Sequence, residues 1–177
     1  GLATVYGTVN RWGGDISVTS VPGSGSTFTL NLPLWTELEP VKSTPDPLLS
    51  RRGDILIVDD EPDICEVLSL LLSPDHDVEI ARSGSEALEK FQPDRFDVAL
   101  VDLGMPEMPG DWVAARMKQI DPATSLILTT GWKLAEDDHR LTQFDFNIQK
   151  PFRGLDSIKE VIGRALKLRD ERAENAG

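Results

Sequence analysis

Between residues 54 and 166 the chain alternates short unbroken apolar runs with longer stretches whose apolar residues recur every three or four positions. An unbroken run predicts a strand buried on both faces, and the three-to-four spacing predicts a helix with one inward face. Asp54–Val58, Val78–Ala81, Asp97–Val101, Ser125–Thr129 and Phe146–Gln149 are therefore predicted strands. Pro62 suits a first helical turn, and Ile64, Val67, Leu68, Leu71 and Leu72 follow as an inward stripe. Ser83 and Glu86 form a capping box for a helix that turns Ala87, Leu88 and Phe91 inward. Trp112, Val113, Met117 and Ile120 mark a third helix, with Trp112 expected as core or half-buried packing. A weak helix is predicted within Leu134–Gln143, and Ile158, Val161, Ile162, Ala165 and Leu166 mark the last one. Five β-α units in about 120 residues predict an α/β fold, a doubly wound five-stranded parallel sheet with helices on both faces.

The chain divides before that alternation begins. Residues 1–33 read as a helix, stopped by Gly13-Gly14, and then a hairpin. Its strands, Ile16–Ser20 and Thr27–Leu32, flank Pro22-Gly23-Ser24-Gly25. Residues 34–52 carry Pro40, Pro45 and Pro47 among Ser and Thr, which is linker composition. Residues 53–172 form the alternating domain, and 173–177 are expected as a tail. No apolar run reaches the length of a membrane span and the first residues lack a signal-peptide layout, so a cytoplasmic segment without membrane contact is expected.

Charge sharpens the division. The first 52 residues carry four basic and four acidic side chains, so the whole net charge of −12 falls on the rest. An acidic domain is a poor partner for nucleic acid, which needs Lys and Arg on phosphate, and a plausible one for a cation. Cys65, the single cysteine, rules out an intrachain disulfide and is expected as a small half-buried side chain. His76 and His139 stand in polar surroundings and are expected at the surface.

The chemistry gathers at the strand ends. In open α/β sheets ligands bind outside the carboxyl ends of the strands. The residues just past those ends are Asp59, Asp60 and Glu61, then Asp102, then Thr130, then Lys150. Carboxylates brought together there repel unless a cation joins them, and oxygen ligands without His or Cys suit Mg²⁺. A carboxylate beside that ion can attack a phosphoryl group, with Lys150 and Thr130 holding its oxygens. Trp132, two residues past Thr130, either borders this crevice or is a plain exposed aromatic.

At these positions residues 53–172 resemble the response regulator receiver domain of two-component signalling. Asp59-Asp60, Asp102 with Asp102-Leu103-Gly104-Met105-Pro106, Thr130-Gly131 and Lys150-Pro151 match the family's motifs in order, at spacings of 43, 28 and 20 residues. The resemblance implies a flavodoxin-like fold and phosphoryl transfer from phosphohistidine to Asp102. It implies Mg²⁺ held by Asp60, Asp102 and the Gly104 carbonyl, with Asp59 acting through water. Asn147 stands where the family often has Tyr or Phe, with Phe146 beside it on the other strand face.

Residues 1–33 resemble the end of a histidine kinase ATP-binding domain, an α/β sandwich, from its glycine-rich lid onward. Gly1-Leu2, Tyr6-Gly7, Gly13-Gly14 and Gly25-Ser26-Thr27-Phe28 carry that likeness. Together the two resemblances imply the C-terminal part of a hybrid histidine kinase whose parent is membrane-tethered or free. The expected partner is a histidine kinase or histidine phosphotransfer domain, and a dimer through the last strand and helix is a further expectation. One rival is a Mg²⁺-dependent aspartyl-phosphate phosphatase of the haloacid dehalogenase type. Its nucleophile belongs after the first strand in a D-x-D arrangement, which Asp59-Asp60-Glu61 lacks. The other is an active histidine kinase in the untruncated parent, whose catalytic elements do not occur in these 177 residues.

Overall fold

The computed structural model describes residues 5, 6, 9, 14–21, 23, 25–32, 51–135, 137–152 and 154–176. The expected Gly1-Leu2 lid remnant, Gly7, Gly13 and nearly all of the linker lie outside them. The chain forms two compact units, Gly1–Thr44 and Pro45–Gly177.

In the first unit Val5, Tyr6 and Val9 are helical, and Gly14 donates its N–H to the Val9 carbonyl at 3.0 Å. Strands β1 (Asp15–Val21) and β2 (Gly25–Asn31) form an antiparallel hairpin. Its register opposes Ile16 to Leu30 and Val18 to Phe28, so one face is apolar and the other carries Ser17, Thr19, Thr27 and Thr29.

The second unit runs β3 (Asp54–Val58), α1 (Pro62–Leu72), β4 (Asp77–Ala81), α2 (Gly84–Lys90), β5 (Val98–Asp102), α3 (Gly110–Ile120), β6 (Ser125–Thr130), a 3-10 turn (His139–Gln143), β7 (Phe146–Gln149) and α4 (Leu155–Ala176). The strands form one parallel sheet in the order β4-β3-β5-β6-β7. Each strand's alternation feeds two cores. Leu56, Val58, Ala99, Val101 and Leu126 pack with α2 and α3 through Ala87, Val113, Ala114 and Met117. Ile55, Ile57, Val98, Leu100 and Ile127 pack with α1 and α4 through Cys65, Leu68, Leu72, Ile158 and Ile162. Burial on both faces is why the strands read as unbroken apolar runs. Each Leu, Ile, Val or Met side chain among them contributes roughly 1.5–3 kcal/mol by leaving water.

The helix signals act much as the sequence implies, with local differences. Ser83 Oγ accepts from Glu86 N–H at 3.1 Å, but the Glu86 carboxylate bonds the N–H of Arg82 at 2.8 Å, one residue upstream of a capping box's usual partner. In α1, Val67 is exposed and Cys65 takes its place inward, fully buried. Strand β5 is displaced by one residue, because Asp97 serves instead as an acceptor for Asp54 N–H and Arg51. Trp112 is exposed, not core: it lies on the outer side of α3 while Val113 fills the inner side. Residues 173–176, expected as a tail, continue α4. Between β6 and β7 the only helical turn among the described residues is the 3-10 segment. Asp138 caps it by accepting from Arg140 N–H at 3.0 Å, and the few apolar residues of 134–143 give no stripe for an α-helix. No described helix is long and apolar enough to cross a membrane.

The base of the sheet is held by charge. Arg51 binds Asp97 and Asp170, each through two nitrogens, and Arg52 binds Asp77. His76, expected at the surface, is buried beneath the turn from α1, where its Nδ1 accepts from Gly53 N–H at 3.3 Å. Burial holds its pKa below the ordinary value, and the cations Lys159, Arg52 and Arg51 add to that against the pull of Asp75. A base with a depressed folded-state pKa adds stability above its unfolded value and loses it as pH falls. Unfolding free energy should therefore fall as pH drops below about 6.5, by up to ~1.4 kcal/mol per pH unit. Urea titrations at a series of pH values should show this limb in the wild type and a flatter one in His76→Gln.

Candidate functional site

Parallel strands place their carboxyl ends on one side, and that side carries the acids. Asp59 follows β3 directly and is almost fully buried. Its position is fixed by its N–H on the Ala81 carbonyl at 3.1 Å and by its own Oδ1, which accepts from Glu61 N–H at 3.0 Å. The Cys65 thiol donates to the Asp59 carbonyl at 3.3 Å. Asp60, the next residue, is exposed. Asp102 ends β5, buried, with Oδ2 accepting from Gly104 N–H at 2.7 Å. The start of α3 presses against this strand end. A Cβ on Gly110 would meet the Asp102 carbonyl oxygen at 2.0 Å, so only glycine permits the approach.

Lys150 joins these acids. It follows β7 at the sheet edge, and its N–H donates to the Thr130 carbonyl at 2.7 Å. Its side chain crosses the end of β6 and donates to Asp59 Oδ2 at 2.6 Å and Asp102 Oδ1 at 2.8 Å, with Glu61 at 3.7 Å. Burial pushes the Asp59 carboxyl up despite the opposing bond from Lys150, and the neighbouring Asp102 charge adds to the rise. Burial pulls Lys150 down, but its bonds to Asp102 and Asp59 outweigh that and leave it above its ordinary value.

The remaining residues named from the sequence fall around this centre. One carboxylate oxygen from each of Asp59, Asp60 and Asp102 lies within 4.8 Å of the others, with no His or Cys among them. Thr130 ends β6, one residue beyond the register partner of Asp102, and is buried with its Oγ1 accepting from Trp132 N–H at 3.1 Å. Among the described residues its own O–H has no acceptor. Gly104 lies in the turn behind Asp102. Trp132 borders the crevice: its ring edge covers Gly104. His139 is exposed and takes no part. Sequence reading set Glu61 among the strand-end acids without naming it a ligand, and gave Cys65 no role at the site. Glu61 was legible as the third acid of the strand end, whereas nothing local to Cys65 marks its bond to Asp59. Asn147 is exposed, and Phe146 packs on the opposite face with Arg164 over its ring at 5.1 Å.

Comparison with known proteins follows the same outline. The family model of the response regulator receiver domain matches residues 55–162. The aerobic respiration control sensor protein ArcB of Escherichia coli K12 is 34% identical over 113 residues, 62% of this chain and 14% of that protein. The sensor protein TorS of the same organism is 30% identical over 172 residues, 94% of this chain and 18% of that protein. This chain therefore spans less than a fifth of either relative. The response regulator TrrA of Thermotoga maritima, in a crystal structure with Mg(2+)-BeF, superposes with a TM-score of 0.58 at 31% identity, covering 64% of this chain and 98% of that one.

The Lys150 bridge sets a clear expectation. Removing it leaves two buried carboxylates without their cation, so Lys150→Met should lower stability by about 3–5 kcal/mol near neutral pH. Because burial raises the Asp59 carboxyl, urea midpoints measured over a series of falling pH values should show the loss shrinking as Asp59 takes up a proton.

Proposed function

This chain belongs to the response regulator receiver family, and we propose on that footing that Asp102 accepts a phosphoryl group from a phosphohistidine. The observation that carries the assignment is the Asp102 carboxylate itself. It sits at the end of the central strand, 2.8 Å from the Lys150 ammonium, and shares its crevice with two further carboxylates. In the transfer the P–N bond to the donor imidazole breaks and a P–O bond to Asp102 forms, leaving imidazole on the donor. Lys150 offsets the charge that develops on the phosphoryl oxygens, and the Thr130 O–H donates to one of them.

The donor set fits Mg²⁺. Three converging carboxylates supply only oxygen, and exposed Asp60 leaves room for the waters this ion retains. Asp60, Asp102 and the Gly104 carbonyl would hold the ion directly, with Asp59 acting through water. When bound it neutralises the acids and orients the incoming phosphoryl oxygens.

Residues 1–33 are best read as the closing part of a histidine kinase ATP-binding domain, 34–52 as a linker, and the receiver as the C-terminal module of a hybrid kinase. Support comes from the TorS alignment, which at 94% of this chain reaches into the first unit. It comes also from the hairpin, whose Val18, Phe28 and Leu30 are exposed as in a fragment of a larger sheet. On this reading the phosphodonor is a histidine kinase or phosphotransfer domain in the cytoplasm, and paired copies would meet through β7 and α4.

Acetyl phosphate with Mg²⁺ should label the wild type, and Asp102→Asn should take no label on Phos-tag electrophoresis. Equal label in the variant would end the assignment. Asp60→Ala should weaken Mg²⁺ binding at least tenfold by calorimetry, a loss of about 1.4 kcal/mol. The same titration with ATP should show no micromolar binding, because the adenine loop is missing from these residues.

A further inference from the structure

At the base of the sheet, the end away from Asp102, α4 passes over the loops that lead into β5 and β6. A cavity of about 600 Å³ lies there, with Pro122, Ala123 and Ala173 as its apolar wall and Arg169 and Arg172 as its cations. Arg169 is 8% exposed. A guanidinium is all donors and no acceptor, so burying one calls for several partners. Among the described residues Arg169 makes one hydrogen bond, from Nη2 to Asp94 Oδ1 at 2.9 Å. Its Nε is buried with no partner, and so is the Oγ of Ser125, which opens β6 at the same end of the sheet.

The neighbouring acids do not fill the gap. Asp121 Oδ2 stands 3.7 Å from Arg169, an ion pair without a hydrogen bond. Its oxygens are taken by Ala123 N–H at 2.9 Å and by Asp94 N–H and Thr124 Oγ1 at 3.1 Å each. Asp145 is taken by Leu126 N–H, Lys118 and Arg172. Asp94 is the weak partner: its side chain is 86% exposed and meets Arg169 through one oxygen. Nη2 and Nε share one edge of the guanidinium, the edge that matches the two oxygens of a carboxylate. Asp94 stands across that edge and uses half of it.

We propose that this cavity binds a small organic carboxylate, held by Arg169 and packed on Pro122, Ala123 and Ala173. One ligand oxygen takes Nη2 from Asp94, which swings into water, and the other reaches Nε. The apolar wall takes the ligand's body, and the volume suits a small molecule. A ligand so placed ties α4 to the loops before β5 and β6. The site lies at the far end of the sheet from Asp102 and stands apart from the role of that residue.

The test titrates benzoate into the full chain, labelled with nitrogen-15, and follows the Arg169 Nε–H resonance. Benzoate should move it saturably and raise the melting temperature, since a ligand that binds only the folded chain stabilises it. Neutral benzamide and inorganic phosphate should each bind more weakly, the first lacking the charge and the second the apolar body. Arg169→Lys, which keeps the charge and loses the fork, should weaken benzoate about tenfold. Asp94→Asn should tighten it by about threefold, because the competing charge goes while asparagine tolerates the left-handed φ of 58°. Ala173→Leu, on the cavity wall, should block binding without touching the guanidinium. A resonance that benzoate leaves unmoved in both wild type and Asp94→Asn overturns the site and leaves water as the missing partner. Equal affinity in Arg169→Lys and Ala173→Leu, or for phosphate and benzoate, overturns it as well.

Discussion

The Lys150 ammonium is the interaction on which this arrangement depends. Two carboxylates at the ends of buried strands repel and resist desolvation, and together they would force the tips of β3 and β5 apart. Lys150 reverses that by donating to both, at 2.6 and 2.8 Å. Reaching them requires a long side chain, since β6 lies between β7 and β5 in the sheet. A lysine stem spans that strand end while its main chain stays bound to Thr130. The crevice is thus charged and closed by residues from four strands, which no single loop could achieve.

Much of the fold was legible because doubly buried strands leave little choice of residue. Ile55–Val58 and Leu126–Leu128 feed a core on each face, so every position must be apolar. The site was legible for a related reason. Charged residues that directly follow such runs can only lie at strand ends, and parallel strands bring those ends together. Asp59, Asp102, Thr130 and Lys150 follow from that placement, although their distances do not.

What escaped the sequence depends on contacts distant along the chain. His76 sits among Asp75 and Asp77 and reads as surface, but the turn from α1 folds it under Gly53, 23 residues away. Trp112 reads as core by size, yet its neighbour Val113 takes the inner side of α3. The weak pattern of 134–143 became a 3-10 turn because Asp138 offers its side chain to Arg140 and no apolar stripe opposes that local bond. Periodicity reports which face is buried, and says little where a segment has no face to bury.

The doubly bonded state of Lys150 also has a consequence for reactivity. An amine attacks an electrophile through its lone pair, and this one is protonated, held above its ordinary pKa and bonded to two carboxylates. Acylating reagents that modify the exposed Lys133 and Lys167 would find Lys150 inert while both carboxylates remain charged. The residue that assembles the crevice is in this way shielded from the covalent chemistry open to other lysines of the same chain.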